Sequence, residues 1–324
     1  MIDYSIYYRD EMPLESSWDY HPDVFISFYN PSDRVCSTFE RIDATSKFWI
    51  VQKEYDFKRD DYPQGNTIIC NEENNKDYRE SDFCYELENS TLFSVLMEAK
   101  TLCIDFTGVI KPYMMAMLAW LTYHHKRKFD VLFSEPKRYK NKDKTKFAGD
   151  FYSIREVAGY AGIGQSTGTE KEVLVIGPGY DYNLISAVAE HKKNAAKKIQ
   201  LLGFPSLRAD MYQENVLCIS KASGADENPY NRGNDGLFYL APANDPFATA
   251  AVLHEIYEKI GAEISNASWY LCPLATKAQA LGFCIFFIKE CKGKAVSIIY
   301  PLGRHHEQET GEGVARTWKY TVEL

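Results

Sequence analysis

The sequence predicts an α/β protein whose strands form largely parallel sheets in two halves. Short runs rich in β-branched and aromatic residues, such as Asp23-Val-Phe-Ile-Ser-Phe-Tyr-Asn30 and Glu172-Val-Leu-Val-Ile176, alternate with longer segments of helical periodicity. Continuous apolar strands of this kind belong to parallel sheets covered by helices on both faces, because both sides of each strand are then buried. The chain also repeats its own outline. Asp105-Phe-Thr-Gly-Val-Ile-Lys111-Pro-Tyr-Met-Met115, continuing to Asp130-Val-Leu-Phe133, aligns without gaps on Leu271-Cys-Pro-Leu-Ala-Thr-Lys277-Ala-Gln-Ala-Leu281, continuing to Val296-Ser-Ile-Ile299, at a constant spacing of 166 residues. Gly159, Gly162, Gly164 and Gly168 mark a connection. Together these features predict two Rossmann-like halves, residues 1–150 and 171–324, related by internal duplication and joined by a glycine-rich stretch at 151–170.

Taken in order, residues 23–30 and 47–51 read as the first strands. Residues 58–90 carry dense turn signals, Asp60-Asp-Tyr-Pro-Gln-Gly65 and Asn71-Glu-Glu-Asn-Asn-Lys76, and read as an irregular excursion around a short strand at 67–70. Asn89-Ser90 opens a helix with Leu92, Phe93, Leu96 and Met97 on one side, leading to a strand at Leu102. A loop to Lys111, an apolar helix and a strand ending near Phe133 follow. The basic run Lys137–Lys146 reads as a solvated loop, since no aromatic stacking pattern accompanies it. The second half places strands at 172–176, 198–204, 237–241, 269–272 and 295–300, and the alternating tail 317–324 is expected to add an edge strand.

Composition narrows the function classes. A hydrophobic content of 45% over 324 residues supports a substantial core. The net charge of −8 argues against general duplex nucleic-acid binding, which needs a dominant basic surface, but leaves room for a small anion held by local lysines. The eight cysteines show no C-x-x-C spacing, and with no recognisable secretory leader they lead us to expect reduced thiols in a cytoplasmic protein. The longest apolar stretch, Met114–Leu121, is too short to span a bilayer, so no membrane role is expected. No zinc signature, P-loop or Ser-His-Asp spacing is present, and neither a metal nor a resident cofactor is expected.

In parallel α/β sheets ligands bind beyond the carboxyl ends of the strands, so those loops supply the candidate residues. Gly177-Pro-Gly179-Tyr-Asp181 is a strand-to-helix turn able to hold an anion, although it lacks the dinucleotide pattern G-x-G-x-x-G. The strand at 198–204 ends in Pro-Ser-Leu-Arg208 with no ribose-binding carboxylate. Asn244 and Asp245 follow the next strand, where one of them is expected to cap a helix. Thr107 with Lys111, and Thr276 with Lys277, stand between a strand end and a helix start, where hydroxyl, ammonium and backbone amides can converge on a phosphate. Arg304 and His305, after the strand at 295–300, are further phosphate or acid candidates.

These two lysine loops resemble the T-G-G-T-K loop, followed by an apolar helix, of CRISPR-associated Rossmann-fold (CARF) sensor domains; Thr107-Gly-Val-Ile-Lys111 carries the likeness in the first half and Thr276-Lys277 in the second. The resemblance implies a loop that contacts a cyclic or linear oligonucleotide, and the related SAVED domains fuse two such units in one chain. Gly108 is followed by Val109 where the family pattern has a second glycine. Asp23-Val-Phe-Ile-Ser-Phe-Tyr-Asn30-Pro-Ser-Asp33 is similar to the opening strand of TIR domains, some of which cleave NAD; that likeness makes Glu40 a candidate acid, and Asn30 at the strand's end is a candidate ligand contact. Asp105 with Glu135-Pro-Lys137 has the outline of a nuclease D…E-x-K site, but a proline between the last two is expected to break a central strand. Glu135 remains a candidate acid or base.

The sequence therefore leads us to expect a nucleotide- or oligonucleotide-binding sensor or accessory subunit of a bacterial antiviral defence or signalling system. Its halves would form a cleft, and it would act through a partner protein or a homo-oligomer. A nucleotide-cleaving enzyme of N-glycosidase or NAD-hydrolase type is the alternative, and a structural subunit without ligand is the third reading.

Overall fold

The computed structural model describes residues 2–139, 148–164, 168–222, 237–306 and 311–324. Among them the chain is α/β, with two mixed, mostly parallel sheets. The strands are β1 (Arg9–Met12), β2 (Val24–Phe28), β3 (Ser46–Gln52), β4 (Thr67–Cys70), β5 (Leu102–Asp105), β6 (Lys128–Tyr139), β7 (Ala148–Glu156), β8 (Glu172–Gly177), β9 (Lys197–Gly203), β10 (Leu237–Ala241), β11 (Ser268–Pro273), β12 (Val296–His306) and β13 (Gly311–Glu323). The helices are α1 (Asp33–Arg41), α2 (Glu80–Glu88), α3 (Thr91–Glu98), α4 (Lys111–Tyr123), α5 (Tyr182–His191), α6 (Met211–Ala222), α7 (Pro246–Glu263) and α8 (Lys277–Phe286).

The chain separates into two compact units. The first draws on Tyr7–Lys140, Phe147–Asp150 and Arg304–Leu324, the second on Met1–Ile6 and Phe151–Gly303. In the first, a seven-stranded sheet runs β1-β13-β6-β5-β2-β3-β4, with β6, β5, β2, β3 and β4 mutually parallel. In the second, a six-stranded sheet runs β10-β9-β8-β11-β12-β7, and β10 through β12 are parallel. Counted from its first parallel strand, each sheet has the doubly wound order 3-2-1-4-5. Every residue of β2, β5 and β11 is buried, as expected of strands sandwiched between helices.

The strand after the fifth parallel strand is exchanged. β7, which follows β6 in the chain, lies beside β12, while β13, which follows β12, lies beside β6. The tail is therefore no edge strand: β13 is interior, antiparallel to both β6 and β1. Its alternating pattern did reveal a strand, but alternation carries no information about which edge receives it. Tyr160 and Gly162 belong to a segment bound along β12, with Ile298 N donating to Tyr160 O at 3.0 Å and Ile163 N to Lys294 O at 2.9 Å.

Two further expectations need correcting. Residues 58–90 are not wholly irregular, because α2 forms within them; at its start Asp82 Oδ2 accepts from Arg79 N at 2.8 Å, one half of a capping box and without the usual Ser/Thr-x-x-Glu signature. Pro136 does not break β6. β5 pairs with β6 only as far as Leu132, so beyond that point one edge of β6 has no ladder bond to lose, and a register shift between Val314 and Arg316 absorbs the irregularity on the other edge. Of the basic run, Lys137 and Arg138 are exposed in β6, and residues 140–146 lie outside the described residues. None of the eight cysteines forms a disulfide. No helix among the described residues is long and apolar enough to cross a membrane.

Candidate functional site

The parallel strands of the first sheet end together at Phe28, Gln52, Cys70 and Asp105, and the loops leaving them form the carboxyl edge. The loop after β5 is packed hard against β2: a Cβ on Gly108 would lie 2.1 Å from the Phe28 carbonyl oxygen. Asp105 accepts from Ser27 Oγ at 3.0 Å and from Thr107 N at 2.8 Å, and Thr107 Oγ1 accepts from Ser134 N at 2.9 Å. Asp105 and Thr107 thus hold the loop in place. Lys111, half-buried, is the first residue of α4. Asn30 is buried and its Oδ1 accepts from Ser32 N at 3.0 Å, a local turn bond. Glu40 sits near the end of α1. Glu135 is buried in β6 and accepts from Trp318 Nε1 at 2.6 Å.

The carboxyl edge of the second sheet collects Gly177, Asn244 and Thr276, as their places after parallel strands require. Several residues here have structural duties. Asp181 caps α5 through the amides of Asn183 and Leu184, and Asp245, rather than Asn244, caps α7 through Phe247 and Ala248. Thr276 caps α8 by accepting from Gln279 N and donates to Ala243 O at 2.5 Å. A Cβ on Gly179 would lie 2.5 Å from Leu274 O, and one on Gly177 3.2 Å from the Phe283 ring. Asn215 Nδ2 donates to Pro178 O and Gly179 O at 2.9 and 2.7 Å, pinning this turn from below. Arg208 pairs with Asp210 at 3.2 Å. Lys277 and Asn244 are half-buried. Arg304 and His305 fall in the last part of β12, with their side chains outside the described residues. Lys111 and Lys277 therefore occupy the same topological place, the first residue of the helix that follows the fourth parallel strand of each sheet.

A second group of residues was not anticipated. Around the ends of β3 and β4 in the first unit lie Gln52, Glu54, Cys70, Tyr78, Glu80, Glu86 and Tyr113. The Tyr113 hydroxyl donates to Glu54 Oε1, the Tyr78 hydroxyl donates to Glu86 Oε2 at 2.5 Å, and Asn71 N donates to both Glu86 oxygens at 3.2 and 3.1 Å. Burial holds the Glu54 carboxyl above the usual carboxylate range, with Glu86 and Glu80 adding like charge, although the Tyr113 bond pulls the other way. Burial and the neighbouring carboxylates likewise push the Cys70 thiol well above its ordinary value, so it is no nucleophile. One signal for this group was present in the sequence, where Glu54 follows the second strand almost immediately. Glu80 and Glu86 gave no such signal, because the turn-rich segment hid α2. Among the described residues no group of three or more His, Cys, Asp or Glu is arranged to hold a metal ion.

No family model, no curated protein and no solved structure matches this chain.

Proposed function

We propose that the chain binds a nucleotide-type anion through the loops that carry Lys111 and Lys277, and that it acts as a sensor or accessory subunit. The observation that carries this reading is the equivalence of the two lysines, each at the first position of the helix after the fourth parallel strand in sheets of identical order. An ammonium there adds its charge to the positive end of the helix dipole, the combination that favours phosphate. The common strand order and the exchanged sixth strands support an internal duplication, and the Thr-Lys loops fit the likeness to CARF and SAVED sensors. Output through a partner protein or a homo-oligomer, in antiviral defence or signalling, belongs to the same proposal.

Titration calorimetry with ribonucleotides and oligoadenylates tests it. Lys111→Ala and Lys277→Ala should each cost about 1–3 kcal/mol of binding, the range for a charge-assisted contact, with almost no change in melting temperature, since both side chains are half-exposed to solvent. Equal affinity in wild type and double mutant would reject the lysine loops.

The second reading, a nucleotide-cleaving enzyme, is favoured by the carboxylate and tyrosine group, because a carboxyl raised by burial is suited to proton transfer near neutral pH. Incubation with NAD, ATP and oligoadenylates, followed by chromatography, separates the two. Multiple turnovers that vanish in Glu54→Gln, Glu86→Gln or Glu40→Gln would replace the sensor by the enzyme, whereas intact ligand with a raised melting temperature supports sensing.

A further inference from the structure

We propose that the carboxyl ends of β3 and β4 form a pocket for the vicinal diol of a ribose, in which Glu54 accepts a hydrogen bond from a ligand hydroxyl and the Gln52 side-chain amide donates one to it. This rests on the nucleotide-binding reading and assigns a part of the ligand that the lysine loop does not hold.

The first support is an unused donor. Gln52, the last residue of β3, is 1% exposed; its Oε1 accepts from Ile110 N at 3.0 Å, while its Nε2 is buried without a hydrogen-bond partner. Buried amide hydrogens are almost always satisfied, so one left open can take a partner from outside the chain, a water or a ligand hydroxyl. Its direction follows from register. Gln52 pairs with Cys70 on parallel β4, so both side chains leave the same face, and the Cys70 thiol lies among Glu86, Glu54 and Tyr78. The amide thus lies on the face of the sheet that carries the carboxylate group.

The second support is the chemistry such a mixture selects. A cation would satisfy the carboxylates but cannot accept from Gln52, and an anion would accept from Gln52 but be repelled by Glu54, Glu80 and Glu86. A hydroxyl donates and accepts at once, so it can answer Glu54 and Gln52 together. Glu54, Tyr78 and Glu86 are half-buried while Gln52 is buried, so a ligand meets the acids from solvent and the amide beneath them.

The third support is position. In dinucleotide-binding doubly wound sheets a carboxylate after the second strand receives a ribose hydroxyl, while the phosphate sits at the helix after the first strand; here the helix that reaches the carboxylate is the one after the fourth. β3 is the second strand here, and Tyr113, which orients Glu54, lies in the first turn of the helix that Lys111 begins. The second unit has no counterpart, since β9 ends at Gly203 and Pro205 stands where Glu54 stands after β3. One ribose per chain should therefore be read in this way.

The test titrates the full chain with the four ribonucleoside triphosphates and their 2′-deoxy counterparts, and with adenosine and 2′-deoxyadenosine. Wild type should prefer the best ribonucleotide over its deoxy form by roughly ten-fold or more, because the deoxy ligand leaves Gln52 and Glu54 unanswered. Glu54→Gln and Gln52→Leu should each bring that ratio close to one with the fold retained by circular dichroism; two variants are used so that a misfolded one does not decide the matter. Lys111→Ala should weaken ribo and deoxy forms alike and keep the ratio. Lysine-dependent binding with no ribose preference, or a preference that survives both Glu54→Gln and Gln52→Leu, overturns the diol pocket and leaves the nucleotide reading intact. A ribose preference lost in those two variants but indifferent to Lys111→Ala and Lys277→Ala keeps the pocket and removes the lysine loops. Absence of binding by any of these probes overturns both.

Discussion

Truncation before Gly311 should abolish cooperative folding of the first unit. β13 pairs with β6 from Gly311 to Glu323 and with β1 along Arg9–Met12, so its loss leaves both neighbours without a partner on that side. Tyr320 and Val322 are fully buried, and burial of a large apolar side chain contributes about 1.5–3 kcal/mol. Glu135 would also lose Trp318, a donor to its Oε1 in the interior. The sum reaches the roughly 5–15 kcal/mol that holds a typical domain together. Hydrogen exchange resolved by peptide should show β2, β5 and β6 losing protection in the truncated chain. Unchanged protection would mean that β13 is not interior.

Gly108→Ala should destabilise the same unit by about 3 kcal/mol, near the top of the range for overpacked sites. The new methyl would sit 2.1 Å from Phe28 O and 3.1 Å from Phe28 C. Both atoms belong to the backbone at the end of β2, which is locked into β3 and β5, so no flexible side chain can move aside. Gly261→Ala in α7 is the control: nothing lies within 4 Å of the added methyl, and alanine in a helix is favoured by about 1 kcal/mol. Urea titrations of the two variants should therefore shift in opposite directions. A Gly108→Ala midpoint equal to wild type would show that the loop before Lys111 is not clamped to β2, and the same variant should weaken nucleotide binding if that loop holds the ligand.

Residue type and spacing determined a good deal about this protein. The buried parallel strands were legible because each, flanked by helices, must be apolar on both faces, and the constant spacing of 166 residues put Lys111 and Lys277 after corresponding strands. Helix starts at Asp181, Asp245 and Thr276 were legible as strand-to-helix turns, since short polar side chains there answer free amides. Only the tertiary structure decided where β13 and β7 go, because a strand's own pattern defines its faces but not its neighbour, and the neighbour is chosen by whichever edge remains open once the other strands have paired. It also decided the company of Glu54. Gln52 and Glu54 lie close in sequence, but Cys70, Tyr78, Glu86 and Tyr113 join them only because β4 pairs beside β3 and because α2 and α4 pack against each other. Such a pocket is a product of long-range pairing, and no local property of any one segment announces it.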